Sequence, residues 1–349
     1  MRALVLDKVG SVTRNCQLRH DVRVVDDYPC REGDVVAVRV LSSKTSYNTL
    51  ELPTGRMSPL RAGDVIAGVL GHRKALFGYA GDLPEGLSTG DEINILNLGG
   101  VLGRCTATSP ALGEPFRCEV LGQVLSFPTM GSRVGVPATI VDGARPIESE
   151  LAASMPPVIA VVGSCMNSGK TEACLTLVHG LARRGLKVAA GKTTGVSLLR
   201  DTFAMEDAGA FKTLCFTDFG VVTTTASTAC GAAVSILNGL AKERPDVIVL
   251  ELGDGLIGAY GVDSILADPA LRQAFSSVVL SANDPVAAWG GVEILRTRFG
   301  IPTRVVTGPA TDNVAGTVLV TEQTGVAAFN ARTQPDEFLA AATKEVAGA

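Results

Sequence analysis

A chain of 349 residues with 46% apolar and 19% charged residues has room for two buried cores, which excludes a disordered chain. Its net charge of −4, without a long basic run, argues against a nucleic-acid surface. No apolar stretch approaches the ~20 residues of a membrane span, and Met1–Asp7 is too short in its apolar part for a signal peptide. The expected location is cytoplasmic.

Residues 1–142 read as a β-rich domain. Strands are expected at 35–41, 64–71, 92–96 and 118–125, closely punctuated by Gly and Pro, as in a small barrel or sandwich. Arg61–Asp64 and Leu87–Asp91 each end in Gly-Asp just before an apolar strand and read as turns. The pattern breaks over 143–156, which is read as a linker. From 157 to 349 strands alternate with helices, the pattern of a parallel sheet covered on both faces. Strands are expected at 158–162, 187–191, 247–251, 277–281, 303–307 and 317–320, with a last helix from Pro335 to about Val346.

The first of these strands runs into Gly163-Ser-Cys-Met-Asn-Ser-Gly-Lys-Thr171, and helical spacing follows through Leu175, Val178 and Leu181. Strand, glycine-bounded loop and helix in this order make a phosphate cradle. Backbone N–H groups over Gly163, Ser164, Asn167, Ser168 and Gly169 point inward, and Lys170 reaches the terminal phosphates. The Thr171 hydroxyl is placed to ligate Mg²⁺. The glycine that opens the loop sits one place earlier than in the common G-x-x-x-x-G-K-[ST] pattern. The eight cysteines form no Cys-x-x-Cys pair and read as small buried residues. Cys165, inside the loop, is either that or a reactive thiol.

The second parallel strand ends in Lys192-Thr-Thr-Gly195, so a second lysine reaches the same end of the sheet. Glu251-Leu-Gly-Asp-Gly255 follows a later strand, where acidic groups hold Mg²⁺ and its waters. Asp201 reads equally as an N-cap or a metal ligand, and Asp207 as a metal ligand or a solvated helix residue. Asn283, after another strand, reads as a contact to a nucleotide base or as part of an Asn-Asp-Pro turn. The guanine-selective Asn-Lys-x-Asp motif is absent, which tilts the base toward adenine.

These motifs resemble those of dethiobiotin synthetases. That family shares the Gly, small hydroxyl and Gly-Lys-Thr of the loop, the lysine spacing to Lys192, an Asp-Ala pair here at Asp207-Ala208, and a glycine-rich Glu motif here at Glu251–Gly255. Molybdopterin-guanine-dinucleotide accessory proteins share a similar Asn-Ser-Gly-Lys-Thr. The resemblance covers 158 to about 260. It implies phosphate and Mg²⁺ on Lys170 and Thr171, a γ-phosphate contact from Lys192, and metal ligation by Asp207 and Glu251, with Asp254 beside them. The proline that follows the family's second lysine is absent here, and Leu252 and Asp254 replace small residues.

The fold class expected is therefore α/β, a parallel-sheet P-loop NTPase domain preceded by a smaller β-rich domain. The function expected is ATP- and Mg²⁺-dependent phosphotransfer to, or ligation of, a small-molecule carboxylate, carbamate or hydroxyl, with Lys170 and Lys192 catalytic. Two alternatives are a nucleotide-switch accessory protein for cofactor loading and a P-loop acyltransferase using acetyl-CoA. The partners expected are a small-molecule acceptor and a second copy of the chain in a homo-oligomer (dimer), without nucleic acid or membrane.

Overall fold

The computed structural model describes residues 1–26, 29–129, 131, 133–344 and 346. The chain forms two compact units. Met1–Arg145, Val196–Arg200 and Thr217–Thr223 make the first, and Pro146–Gly195, Asp201–Phe216 and Thr224–Ala349 the second. A single linear boundary does not describe this division, because two short segments return to the first unit.

The first unit is built on β1 (Val35–Val40), β2 (Val65–Leu70), β3 (Glu92–Ile95), β4 (Val101–Thr108) and β5 (Arg117–Ser126). β5 pairs with β1, β1 with β2, β2 with β4, β4 with β3, and β3 with β5. The five strands close on themselves into a small barrel, which leaves no open edge among them. Strand period decides which core each side chain joins. Val36, Val38 and Val40 enter one cluster with Ile66, Ile93, Leu102 and Val120. Val35 and Ala37 enter the other with Leu6, Val12, Val69 and Ile140, and the returning Val222 joins them. The two turns read from Gly-Asp are closed by side chains: Asp64 accepts from the Arg61 N–H at 2.8 Å and Asp91 from the Ser88 N–H at 2.8 Å.

The second unit carries a six-stranded sheet of β6 (Val158–Gly163), β7 (Val188–Lys192), β8 (Lys212–Cys215), β9 (Val247–Glu251), β10 (Phe275–Ser281) and β11 (Val305–Thr307). Its order is β8-β7-β9-β6-β10-β11, and every pair is parallel. The longer helices are α1 (Lys170–Arg183), α2 (Arg200–Asp207), α3 (Ala229–Ala241), α4 (Pro285–Phe299), α5 (Val314–Thr324) and α6 (Pro335–Thr343), and two six-residue helices lie at Val262–Ala267 and Pro269–Ala274. Cys174, Leu177, Val178 and Leu181 of α1 and Phe338, Leu339 and Ala342 of α6 pack with Ile159, Val161 and Val249 of the sheet. β6 therefore lies inside the sheet, its chain continuing to β7 two positions away. Such a reversal of winding opens a crevice beyond the carboxyl ends of the strands.

The structure corrects one strand expectation and adds strands that were not expected. Residues 317–320 lie inside α5, not in a strand. Asn313 caps that helix by accepting from the Gly316 N–H, and Gly325 ends it in the left-handed conformation. These local caps override the β-branched run. Strands the sequence reading missed include β4 and several short strands of the first unit, and in the second unit β8, whose Lys-Thr-Leu-Cys carries too little apolar signal to stand out. The last helix ends at Thr343, and position 345 of the expected span lies outside the described residues. Among the described residues no helix is long and apolar enough to cross a membrane.

Candidate functional site

β6 ends at Gly163 and α1 begins at Lys170, so the loop between them is held at both ends. Asn167 and Gly169 take positive φ of 59° and 93°, and Gly169 stands at the N-cap of α1. Left-handed residues of this kind turn successive N–H groups to one side and form an anion cradle at a helix start. Neighbouring strand ends fix the loop from behind. The Ser281 hydroxyl donates to the Ser168 carbonyl, and the Ser164 N–H donates to the Ser281 carbonyl at 2.9 Å. At Gly255 a Cβ would stand 2.6 Å from the Ser164 carbonyl oxygen and 2.8 Å from the Cys165 Cα, so only glycine lets the β9 loop approach this closely.

Lys170 is 6% exposed, and its Nζ donates to the Cys165 carbonyl at 2.8 Å. Burial pushes its pKa below the ordinary lysine value. The carboxylate of Glu251 works against that shift, and the charge of Lys192 adds to it. Lys192 and Glu251 are register partners on adjacent strands, with Nζ and Oε1 3.3 Å apart. Asp201, in the first turn of α2, makes the second ion pair to Lys192. Burial opposes the Lys192 charge, but the two carboxylates outweigh it and hold its pKa above the ordinary value.

Four buried polar atoms in this region have no partner among the described residues: Ser164 Oγ, Glu251 Oε2, Asp254 Oδ1 and Asn283 Oδ1. Such atoms cost free energy in a folded chain and mark places where a ligand or ion is received. Asp254 also has a left-handed backbone, with φ 78°, a strained state for a non-glycine residue. Burial raises its pKa, and the Ala259 N–H bond and the Lys170 charge only partly offset this.

The structure thus brings Ser164, Lys170, Lys192, Glu251 and Asp254 to one end of one sheet. Thr171, half-buried, is the second residue of α1. Asn283 donates to the Cys165 sulfur at 3.0 Å, which places it against the middle of the loop. Of the two readings of Asp207, its exposed position agrees with the solvated helix residue. Asp207 is exposed at the last residue of α2, about 9 Å along the helix axis from Asp201, and it is Asp201 that meets Lys192. The buried Thr224 hydroxyl accepts from the Gly195 N–H and donates to the Tyr260 carbonyl. His72 pairs with Asp82 in the first unit.

The sequence reading also missed Glu51, fully buried in the first unit. Its carboxylate accepts from the Ser11 hydroxyl and from the Leu199 and Arg200 N–H groups at 2.8 and 2.7 Å, capping α2. The available signal was a lone acid between Leu50 and Leu52. Among the described residues no group of three His, Cys, Asp or Glu side chains could hold a metal ion by itself.

No family model matches the chain, and no curated protein matches it. Solved structures that resemble it include the signal recognition particle receptor FtsY from Elizabethkingia anophelis, at 15% identity and TM-score 0.40 over 55% of this chain and 66% of that one. Another is the signal recognition particle 54 kDa protein from Aeropyrum pernix K1 in complex with GDP, at 20% identity and TM-score 0.37 over 54% and 46%. A third is a DUF1611 family protein from Anabaena variabilis, at 17% identity and TM-score 0.39 over 58% and 63%. The chain spans less than two thirds of the length of these proteins. With all three scores below 0.5, the class rests on this chain's own strand order and loop. Those define a P-loop NTPase-fold domain preceded by a β-rich domain. None of the three is a dethiobiotin synthetase, so that narrower likeness rests on sequence motifs alone.

Proposed function

We propose that the second unit binds ATP with Mg²⁺ on the 163–171 loop and passes the γ-phosphoryl group to a carboxylate, carbamate or hydroxyl of a small molecule. One observation carries this reading. A loop ending in a buried lysine faces unpartnered oxygen acceptors at the ends of β6 and β9. Glu251 Oε2 and Asp254 Oδ1 are hard oxygen donors, which suit Mg²⁺. One or two carboxylates are enough where phosphates and waters complete the shell. Thr171 would join them, and the ion would supply charge neutralisation on the phosphates.

The chain's own groups then have distinct tasks. The loop N–H groups hold the phosphates in place, and Lys170 adds a charge whose strength grows in its buried setting. Lys192 pairs with Glu251 and Asp201 and orients them. A carboxylate acceptor needs no deprotonation, which fits a site without an evident general base.

Calorimetry with Mg²⁺ and ATP, GTP or acetyl-CoA tests the reading on wild type and Lys170→Ala. ATP binding that weakens by about tenfold or more in the variant is expected, since a charge-assisted hydrogen bond contributes about 1.5–3 kcal/mol. Binding of acetyl-CoA alone would move the protein to acyl transfer, and no binding of any of the three would remove the loop as a phosphate site.

A further inference from the structure

α4 and α5 pack side by side, and each begins just beyond the carboxyl end of a parallel strand, β10 or β11. Their inner faces are accounted for: α4 buries Ala288, Gly291, Val292, Leu295 and Phe299, and α5 buries Val320. Their outer faces are not polar, as solvated helix faces are. Val286, Trp289 and Gly290 share a face of α4 by helical spacing, as Val314 and Val318 do on α5, with Leu319 beside them. The four aliphatic side chains are 46–79% exposed, and Trp289 is 51% exposed. Isolated helices shorter than about 12–15 residues are marginal in water. α5 has 11 residues and buries only Val320, so its own chain gives it little support.

Size, charge and shape point to what covers this face. Taking about 100 Å² for a fully exposed aliphatic side chain and about 250 Å² for tryptophan, the five side chains present about 400 Å² of apolar surface. Homodimer interfaces are about 65% apolar, so this core implies about 600 Å² per partner and about 1,200 Å² in all, within the range of specific interfaces. A two-fold interface sets one patch against itself, so a charge near its axis repels its own copy. Residues 285–292 and 314–321 contain no ionisable side chain. The nearest charges stand at the rim, where Glu293 pairs with Arg296 and Glu322 follows the apolar run of α5. A Cβ at Gly290 would have nothing within 4 Å, so a dent lies beside the projecting Trp289. We propose that α4 and α5 form the interface of a two-fold homodimer, with Trp289 of each copy seated over Gly290 of the other.

Sedimentation equilibrium reads the dimer constant, and the emission of Trp289, the chain's one tryptophan, reads the face itself. Wild type is expected to dimerise at micromolar concentration or below, with emission that moves to the red as the dimer is diluted. Val286→Glu and Val318→Glu each put a charge at an exposed position, and each is expected to weaken the dimer about tenfold or more while the far-UV circular dichroism of the fold is kept. A wild type that stays monomeric to about 100 μM, with the emission of an exposed indole, overturns the inference and leaves the face to a different protein or a membrane surface. A dimer that keeps its strength and its emission in both variants also overturns it, because that dimer forms elsewhere.

Discussion

Replacing Glu51 with alanine removes a buried carboxylate that caps the start of α2, and the cost can be worked from the structure. Three donors lose their acceptor: the Ser11 hydroxyl and the Leu199 and Arg200 N–H groups. Hydrogen bonds to a charged group contribute about 1.5–3 kcal/mol each, but losses within one network do not add. The donors left behind are neutral, and each that stays buried without an acceptor costs about 1–3 kcal/mol, so Glu51→Ala is placed at about 2–5 kcal/mol. Glu51→Gln keeps one acceptor oxygen and turns an amide NH₂ toward the remaining donors, so it is expected to fall between wild type and alanine. Urea unfolding with an unchanged m-value reads the loss as a lower midpoint. Amide exchange at Leu199, Arg200 and Thr202 rises if the damage is local to the cap. A Glu51→Ala variant within about 1 kcal/mol of wild type, with unaltered exchange in α2, would refute the reasoning, since no buried carboxylate with three donors can be that cheap to remove.

Three further outcomes are expected. The Lys192 pKa is raised above its ordinary 10.5, so its stabilisation is complete below that pH and is lost as pH rises through the higher folded value. Thermal stability should therefore show no Lys192 loss from neutral pH up to 10.5, and a decline beyond it that is smaller in Asp201→Asn. The Cys16 thiol is pushed up to about 12 by burial and the nearby Asp142, so iodoacetamide at about pH 8 should leave it unmodified; half-buried Cys165 should react, and more slowly when Mg²⁺ and ATP are present. Gly255→Ala forces a Cβ against loop backbone and should cost about 1–3 kcal/mol by urea unfolding, with a matching fall in tripolyphosphate affinity by calorimetry.

Much of the second unit was legible because its determinants are local. Val158–Val162 is an uninterrupted apolar run into a glycine loop, and no other reading suits both its halves. Side chains whose role depends on distant partners were harder. Asp201 and Asp207 both sit in a plausible acidic helix, and only the phase of α2 decides that Asp201 meets Lys192. Propensity over 317–320 pointed to a strand, while a cap at each end made a helix. Glu51 carries no motif, since it acts through groups that folding alone brings near.

The two segments that return to the first unit set an order of events during synthesis. Val222 belongs to the second of the first unit's two cores, the one shared with Leu6, Val12 and Ile140, so that core is incomplete until Thr223 has emerged, 78 residues after Arg145. At about 5–20 residues per second this second core waits roughly 4–16 s with an apolar gap. By then β6, α1, β7 and β8 of the second unit have already been made. A fragment cut at Arg145 would lack Val222 and leave that gap open, while the cluster of Val36, Ile66, Ile93, Leu102 and Val120 is made wholly from residues before the cut.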